Sequence, residues 1–60
     1  MDILKRLKEK QKGYEYAAGF LSQEGHVEML ELDIEQSKDF GTFDYFDEGV
    51  QEAITEYKFG

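Results

Sequence analysis

Three stretches of this chain carry apolar residues at helical spacing, and glycines separate them. In residues 2–24, Ile3, Leu4, Leu7, Tyr14, Ala17, Ala18 and Leu21 recur mostly at intervals of three, four and seven, the stripe of an amphipathic helix. Asp2 stands where a carboxylate meets the positive end of the helix dipole. Gly25 is placed to end the helix in the left-handed conformation. Gly13 is the weak point, because an interior glycine costs about 1 kcal/mol against alanine, and a bend is expected there. In HVEMLELDIEQS (26–37) the spacing of Val27, Leu30 and Ile34 is helical, yet LELDIE alternates strictly, which is a strand signal. A strand would find only TFDYF (42–46) as a partner, and a lone hairpin is marginal in water. The abundance of Glu, Leu, Met and Gln favours helix.

The third stretch is the clearest. Phe43, Phe46, Val50, Ala53, Ile54 and Tyr57 follow one helical face. Thr42 is the expected N-cap, with Asp44, Asp47 and Glu48 in the first turns and Lys58 in the last, both favourable to the dipole. The pattern predicts an all-α, three-helix domain with helices at about 2–24, 27–37 and 42–58, in one unit spanning 1–60. Gly49 falls on the buried side of the third helix, four residues before Ala53. The first helix carries Gly13, Ala17, Ala18 and Gly19. Small residues on facing helices let two backbones approach, so a close crossing is expected near Ala17/Ala18 and Gly49/Ala53.

GYEYAAGFL (13–21) and FDYFDEGVQEAI (43–54) resemble segments of small, mostly uncharacterised helical proteins encoded by bacteriophages. In these a Gly-Tyr-x-x-Ala-Ala-Gly-type helix precedes a Phe-Asp-x-Gly helix. The resemblance covers 21 of the 60 residues. It implies a helical fold and a phage origin, and with them the host cytoplasm. It supplies no reaction and no binding site.

Charge sharpens the picture. Residues 1–12 hold five cations and two acids, a balance of +3, while residues 13–60 hold two cations and twelve acids, a balance of −10. Nucleic-acid binding rests on neutralising phosphates, so the acidic body is not expected to bind DNA or RNA directly. It suits a protein partner with a basic surface. No apolar run follows the basic start, as a secretory leader would need. No segment approaches the roughly 20 apolar residues of a membrane span. The expectation is a cytoplasmic protein without membrane association.

The chain has no cysteine and one histidine, His26, so disulfides, thiolate metal sites and multi-histidine zinc sites are excluded. Asp44, Asp47 and Glu48 share a helix face, but calcium requires six to eight oxygens and no EF-hand spacing is present. Gln23, not a glutamate, stands three residues before His26, which breaks the Glu-x-x-His pattern of di-metal bundles. His26 follows a glycine and reads as an exposed capping residue. Neither a catalytic residue nor a cofactor or metal site is expected, and the chain is not read as an enzyme.

Small domains need a staple, and with disulfides and metals excluded a partner or a second copy is expected to supply it. Phe20, Phe40 and Tyr45 fit the core stripe poorly and are candidates for an association surface, since aromatics concentrate at interface centres. Glu28, Glu31 and Glu35, and Asp44, Glu48, Glu52 and Glu56, form lines along helices, with Asp47 beside them. Carboxylates about 6 Å apart along a helix crudely resemble a phosphate row. Two functions follow. One is an acidic protein-binding module, in its sharpest form a phage-encoded inhibitor and DNA mimic that occupies the basic groove of a host nucleic-acid-handling protein. The other is a structural helical homo-oligomer, with the basic arm of one copy against the acidic body of another.

Overall fold

A computed structural model describes residues 2–23 and 25–60. They form three helices, α1 (Ile3–Gln23), α2 (Val27–Phe40) and α3 (Tyr45–Phe59). The segment with mixed strand and helix signals is helical throughout. Its alternating LELDIE places Leu30 and Ile34 in the core and leaves Leu32 in solvent. No helix among the described residues is long and apolar enough to cross a membrane.

The helix ends differ from expectation in ways the local chemistry explains. The Asp2 carboxylate accepts the Lys5 backbone N–H at 3.2 Å and so caps α1. The expected end of this helix at residue 24 lies outside the described residues, while Gly25 adopts φ 70° as anticipated. α2 runs to Phe40, three residues beyond the expected Ser37, because nothing breaks it before Gly41 turns left-handed at φ 71°. There the N–H of Gly41 bonds the Lys38 carbonyl and the N–H of Thr42 bonds the Ser37 carbonyl, the two closing bonds of a Schellman motif. Thr42 therefore belongs to the end of α2 and is not the cap of α3. Asp44 caps α3 instead: its carboxylate accepts from the Asp47 N–H at 3.2 Å, and the Asp47 carboxylate accepts from the Asp44 N–H at 3.3 Å. This reciprocal box satisfies two otherwise orphaned donors. His26 holds the N-cap position of α2, but its side chain makes no capping bond.

α3 is the helix on which both others pack. α1 and α3 run parallel and in direct contact, and α2 returns antiparallel to α3 on its other side. The core gathers Ala17 and Leu21 from α1, Leu30 and Ile34 from α2, and Val50, Ala53 and Ile54 from α3. Tyr14, Phe20, Val27, Phe43 and Phe46 pack around it, half-buried. Tyr57, expected inside, is exposed.

The close crossing of α1 and α3 exists, one turn earlier on α1 than expected. Gly13 and Gly49 meet the facing backbones. A Cβ on Gly13 would overlap the Phe46 carbonyl, coming within 2.8 Å of its carbon. A Cβ on Gly49 would overlap the Lys10 carbonyl oxygen and lie 2.7 Å from the Tyr14 nitrogen. Gly13 thus sits in an unbroken helix as a packing residue and is not a bend. Backbones this close bring each glycine Cα–H toward a carbonyl, a contact worth about 0.5–1 kcal/mol. Gly19, by contrast, faces open space.

The position of the crossing also explains a miss in the core. Gly13 abuts Phe46, the second residue of α3, so the first two turns of α1 extend past the start of α3. Ile3, Leu4 and Leu7 continue the apolar stripe but are exposed.

Gly13→Ala and Gly49→Ala are each expected to destabilise the fold by about 1–3 kcal/mol, the usual range for overpacking. For a domain of this size that lowers Tm by roughly 4–8 °C per kcal/mol. Gly19→Ala is expected to raise Tm, by the ordinary helix-propensity gain of about 1 kcal/mol. Thermal unfolding followed by circular dichroism separates the cases, and an unchanged Tm in the first two variants would refute the close crossing.

Candidate protein-interaction surfaces

The parallel pairing of α1 and α3 sets two series of side chains against each other at constant offset. Arg6 pairs with Glu48 at 3.4 Å and Lys10 with Glu52 at 3.0 Å. One turn further, the Tyr14 hydroxyl donates to Glu56. Each pair is 42 residues apart, so the series 6, 10, 14 reads against 48, 52, 56. Arg6 and Lys10 of the basic arm are therefore engaged within the same chain. Exposed pairs of this kind contribute about 0–1 kcal/mol each, and their larger effect is to favour one register of α1 on α3.

This ladder consumes most of the acidic line expected on α3. Glu48, Glu52 and Glu56 face α1, and Asp44 and Asp47 form the capping box. Burial lifts the Asp47 carboxyl above the usual carboxylate range, opposed by the bond from the Asp44 N–H and reinforced by the Asp44 charge. On α2, Glu31 pairs with Lys58 of α3 at 3.0 Å. Glu28 and Glu35 remain exposed and without an ion pair among the described residues.

The same holds for Asp39, which sequence reasoning did not single out. Positions 28, 32, 35 and 39 recur at four, three and four, so Glu28, Leu32, Glu35 and Asp39 form one outward stripe on α2. Leu32 is exposed in its middle. The stripe borders an open groove of about 600 Å³ between α2 and α3, lined by Glu28, Leu32, Glu35, Gln51, Thr55 and Phe59 among others. Phe40 and Phe59 are 80% and 82% exposed. Lys38 also borders this groove, but its ammonium lies over the Phe43 ring, 5.5 Å from the centroid.

The three aromatics expected at an association surface divide. Phe40 is free. Tyr45 is partly covered by the Arg6 guanidinium, 5.2 Å from its ring centroid. Phe20 packs against the core and is unavailable, on a core wider than the sequence stripe. Phe59, at the end of α3, joins Phe40 as an exposed ring. Among the described residues, no group of three or more acidic, His or Cys side chains is arranged to hold a metal ion.

Comparison with protein-family models, with curated proteins and with solved structures returns no match.

The Tyr14–Glu56 bond has a pH signature. The hydrogen bond to Glu56, followed by the charge of that carboxylate, raises the Tyr14 hydroxyl above its ordinary value of 10.0. The neutral phenol is favoured in the folded state, so its contribution is complete below pH 10 and is lost as pH rises through the raised value. Tyr14→Phe is expected to lower the urea midpoint at neutral pH, and the gap to wild type is expected to close in strongly alkaline solution. A gap that stayed constant across that range would show that the hydroxyl is not bonded to Glu56.

Proposed function

We propose that this protein is a non-catalytic binding module that presents the outward stripe of α2 to a protein partner with a basic groove. The observation that carries the reading is the contrast between two sets of acids. Those of α3 are engaged by α1 or by the capping box, whereas Glu28, Glu35 and Asp39 of α2 are solvated, without an ion pair among the described residues and aligned beside exposed Leu32. Along the helix axis Glu35 and Asp39 are about 6 Å apart and Glu28 and Glu35 about 10 Å apart. This spacing suits a groove that otherwise holds a phosphate backbone. The apolar side chains Leu32 and Phe59, which line the groove, supply what a purely ionic contact lacks, a desolvated centre within a charged rim.

The likeness to phage-encoded helical proteins makes host nucleic-acid-handling enzymes the first partner class to try, with the protein acting as an inhibitor. In this reading the mimicking acids lie on α2, and α3 serves to hold α2 in place. Glu31 belongs with α3, because its pairing with Lys58 helps dock one helix on the other.

The test compares immobilised wild-type protein with the triple variant E28Q/E35Q/D39N in capture from bacterial lysate at low and high salt. Circular dichroism confirms equal folding. The expected outcome is one basic protein held by the wild type, released by salt and at least tenfold depleted on the triple variant. Equal capture by both chains would overturn the assignment to α2.

A further inference from the structure

Two observations remain unused by that reading. The first turns of α1 expose Ile3, Leu4 and Leu7, and Lys5 and Lys8 beside them have no ion pair among the described residues. This end of α1 is apolar and cationic, whereas the stripe on α2 is apolar and anionic. We propose that the two surfaces meet between copies: the start of α1 in one chain docks on the Glu28–Leu32–Glu35–Asp39 stripe of a second chain, and reciprocally. The proposal rests on the α2 stripe being a binding surface and names a second copy as one occupant.

Three features support the pairing. Both exposed grooves flank the same back of α3. The groove toward α2 is lined by Gln51 and Thr55, and the groove toward α1, which includes Leu7, by Glu52 and Glu56. A two-fold axis parallel to α3 therefore brings α1 of each copy over α2 of the other. Because α1 and α2 run in opposite directions, Lys5 and Lys8 then approach Asp39 and Glu35. A two-fold axis across α3 would instead press two basic α1 helices together. Second, two of the acids on the shared back of α3 are already paired with cations, Glu48 with Arg6 and Glu52 with Lys10, which reduces the repulsion between facing α3 helices.

Third, the size fits a reciprocal contact. A stable interface buries about 800 Å² on each partner, a substantial share of an accessible surface of 4601 Å². One short helix tip is too small for this, but a two-fold interface uses each contact twice. An anionic lipid surface would also attract the lysines, but it would meet a body of net charge −10 in residues 13–60, and a second copy is the better match.

Sedimentation velocity on the full chain tests the proposal. The wild type is expected to be a dimer at low salt, with at least tenfold weaker association at high salt. K5E/K8E and E35K/D39K are each expected to be monomeric, because each variant makes both surfaces carry the same sign. Their equimolar mixture is expected to restore the dimer, since both contacts are then complementary again; recovery also shows that both chains are folded. A monomeric wild type, or a mixture that stays monomeric, would overturn the proposal. Binding of a monomeric wild type to phosphatidylglycerol vesicles would overturn it in favour of a membrane. L4S/L7S separates this proposal from the function above. It is expected to abolish the dimer while leaving the α2 stripe, and any lysate partner held there, intact.

Discussion

The fold depends on two glycines. α1 and α3 can approach as they do only because Gly13 and Gly49 each leave room for a facing carbonyl, and other features follow from that distance. At an ordinary helix separation of about 8–10 Å, the short side chains at Ala17 and Ala53 would leave a void. At the close separation both are buried and continue the seam. The crossing also stands in for the larger core that a chain of 60 residues lacks. Small domains bury a modest share of their surface, and here seven apolar residues among those described are buried. Backbone contact supplies part of what side-chain burial cannot.

The crossing fixes the direction of α1 on α3, and direction in turn decides the fate of the charges. Two parallel helices held at one point bring residues of equal sequence increment into line, so Arg6, Lys10 and Tyr14 meet Glu48, Glu52 and Glu56 turn by turn. An antiparallel pairing would place the cations of α1 beside the far end of α3, near Lys58. None of the pairs is buried, and solvent screening keeps each one weak. Their arrangement nevertheless removes a row of carboxylates from the surface open to partners. Glu28, Glu35 and Asp39 of α2, with α1 out of reach, stay solvated.

Much of the fold was legible in the sequence, because helical periodicity and glycine placement are local signals. The three stripes, the stop at Gly25 and the buried side of Gly49 were all read from spacing. The residues that resisted were those whose role depends on a partner distant in the chain. Gly13 looked like a flaw because helix propensity counts only its own helix, whereas its value lies in the Phe46 carbonyl 33 residues away. Ile3, Leu4 and Leu7 looked like core because periodicity does not report where the opposing helix begins. Thr42 and Asp44 are both good caps, and the choice fell to Asp44 once the Gly41 turn had drawn Thr42 back onto Ser37. The site was legible only in part. A line of acids on α3 has the same spacing whether it faces solvent or a lysine, so the row at 48, 52 and 56 could not be distinguished from the free stripe on α2.

Charge on this protein is organised by helix face more than by segment. Counting by segment gives a basic arm and an acidic body, which suggests that the arm of one chain must seek the body of another. The structure divides the arm itself. Arg6 and Lys10, four apart, turn toward α3 and are satisfied within the chain, whereas Lys5 and Lys8, three apart, turn away beside Leu4 and Leu7. A step of one or two residues along the helix thus separates charges that hold the monomer together from charges left in solvent. The same partition recurs on α2, where Glu31 reaches Lys58 while Glu28 and Glu35, on either side of it in sequence, point outward. Net charge sets the sign of the molecules that approach. The face on which each charge sits decides whether anything remains for them to bind.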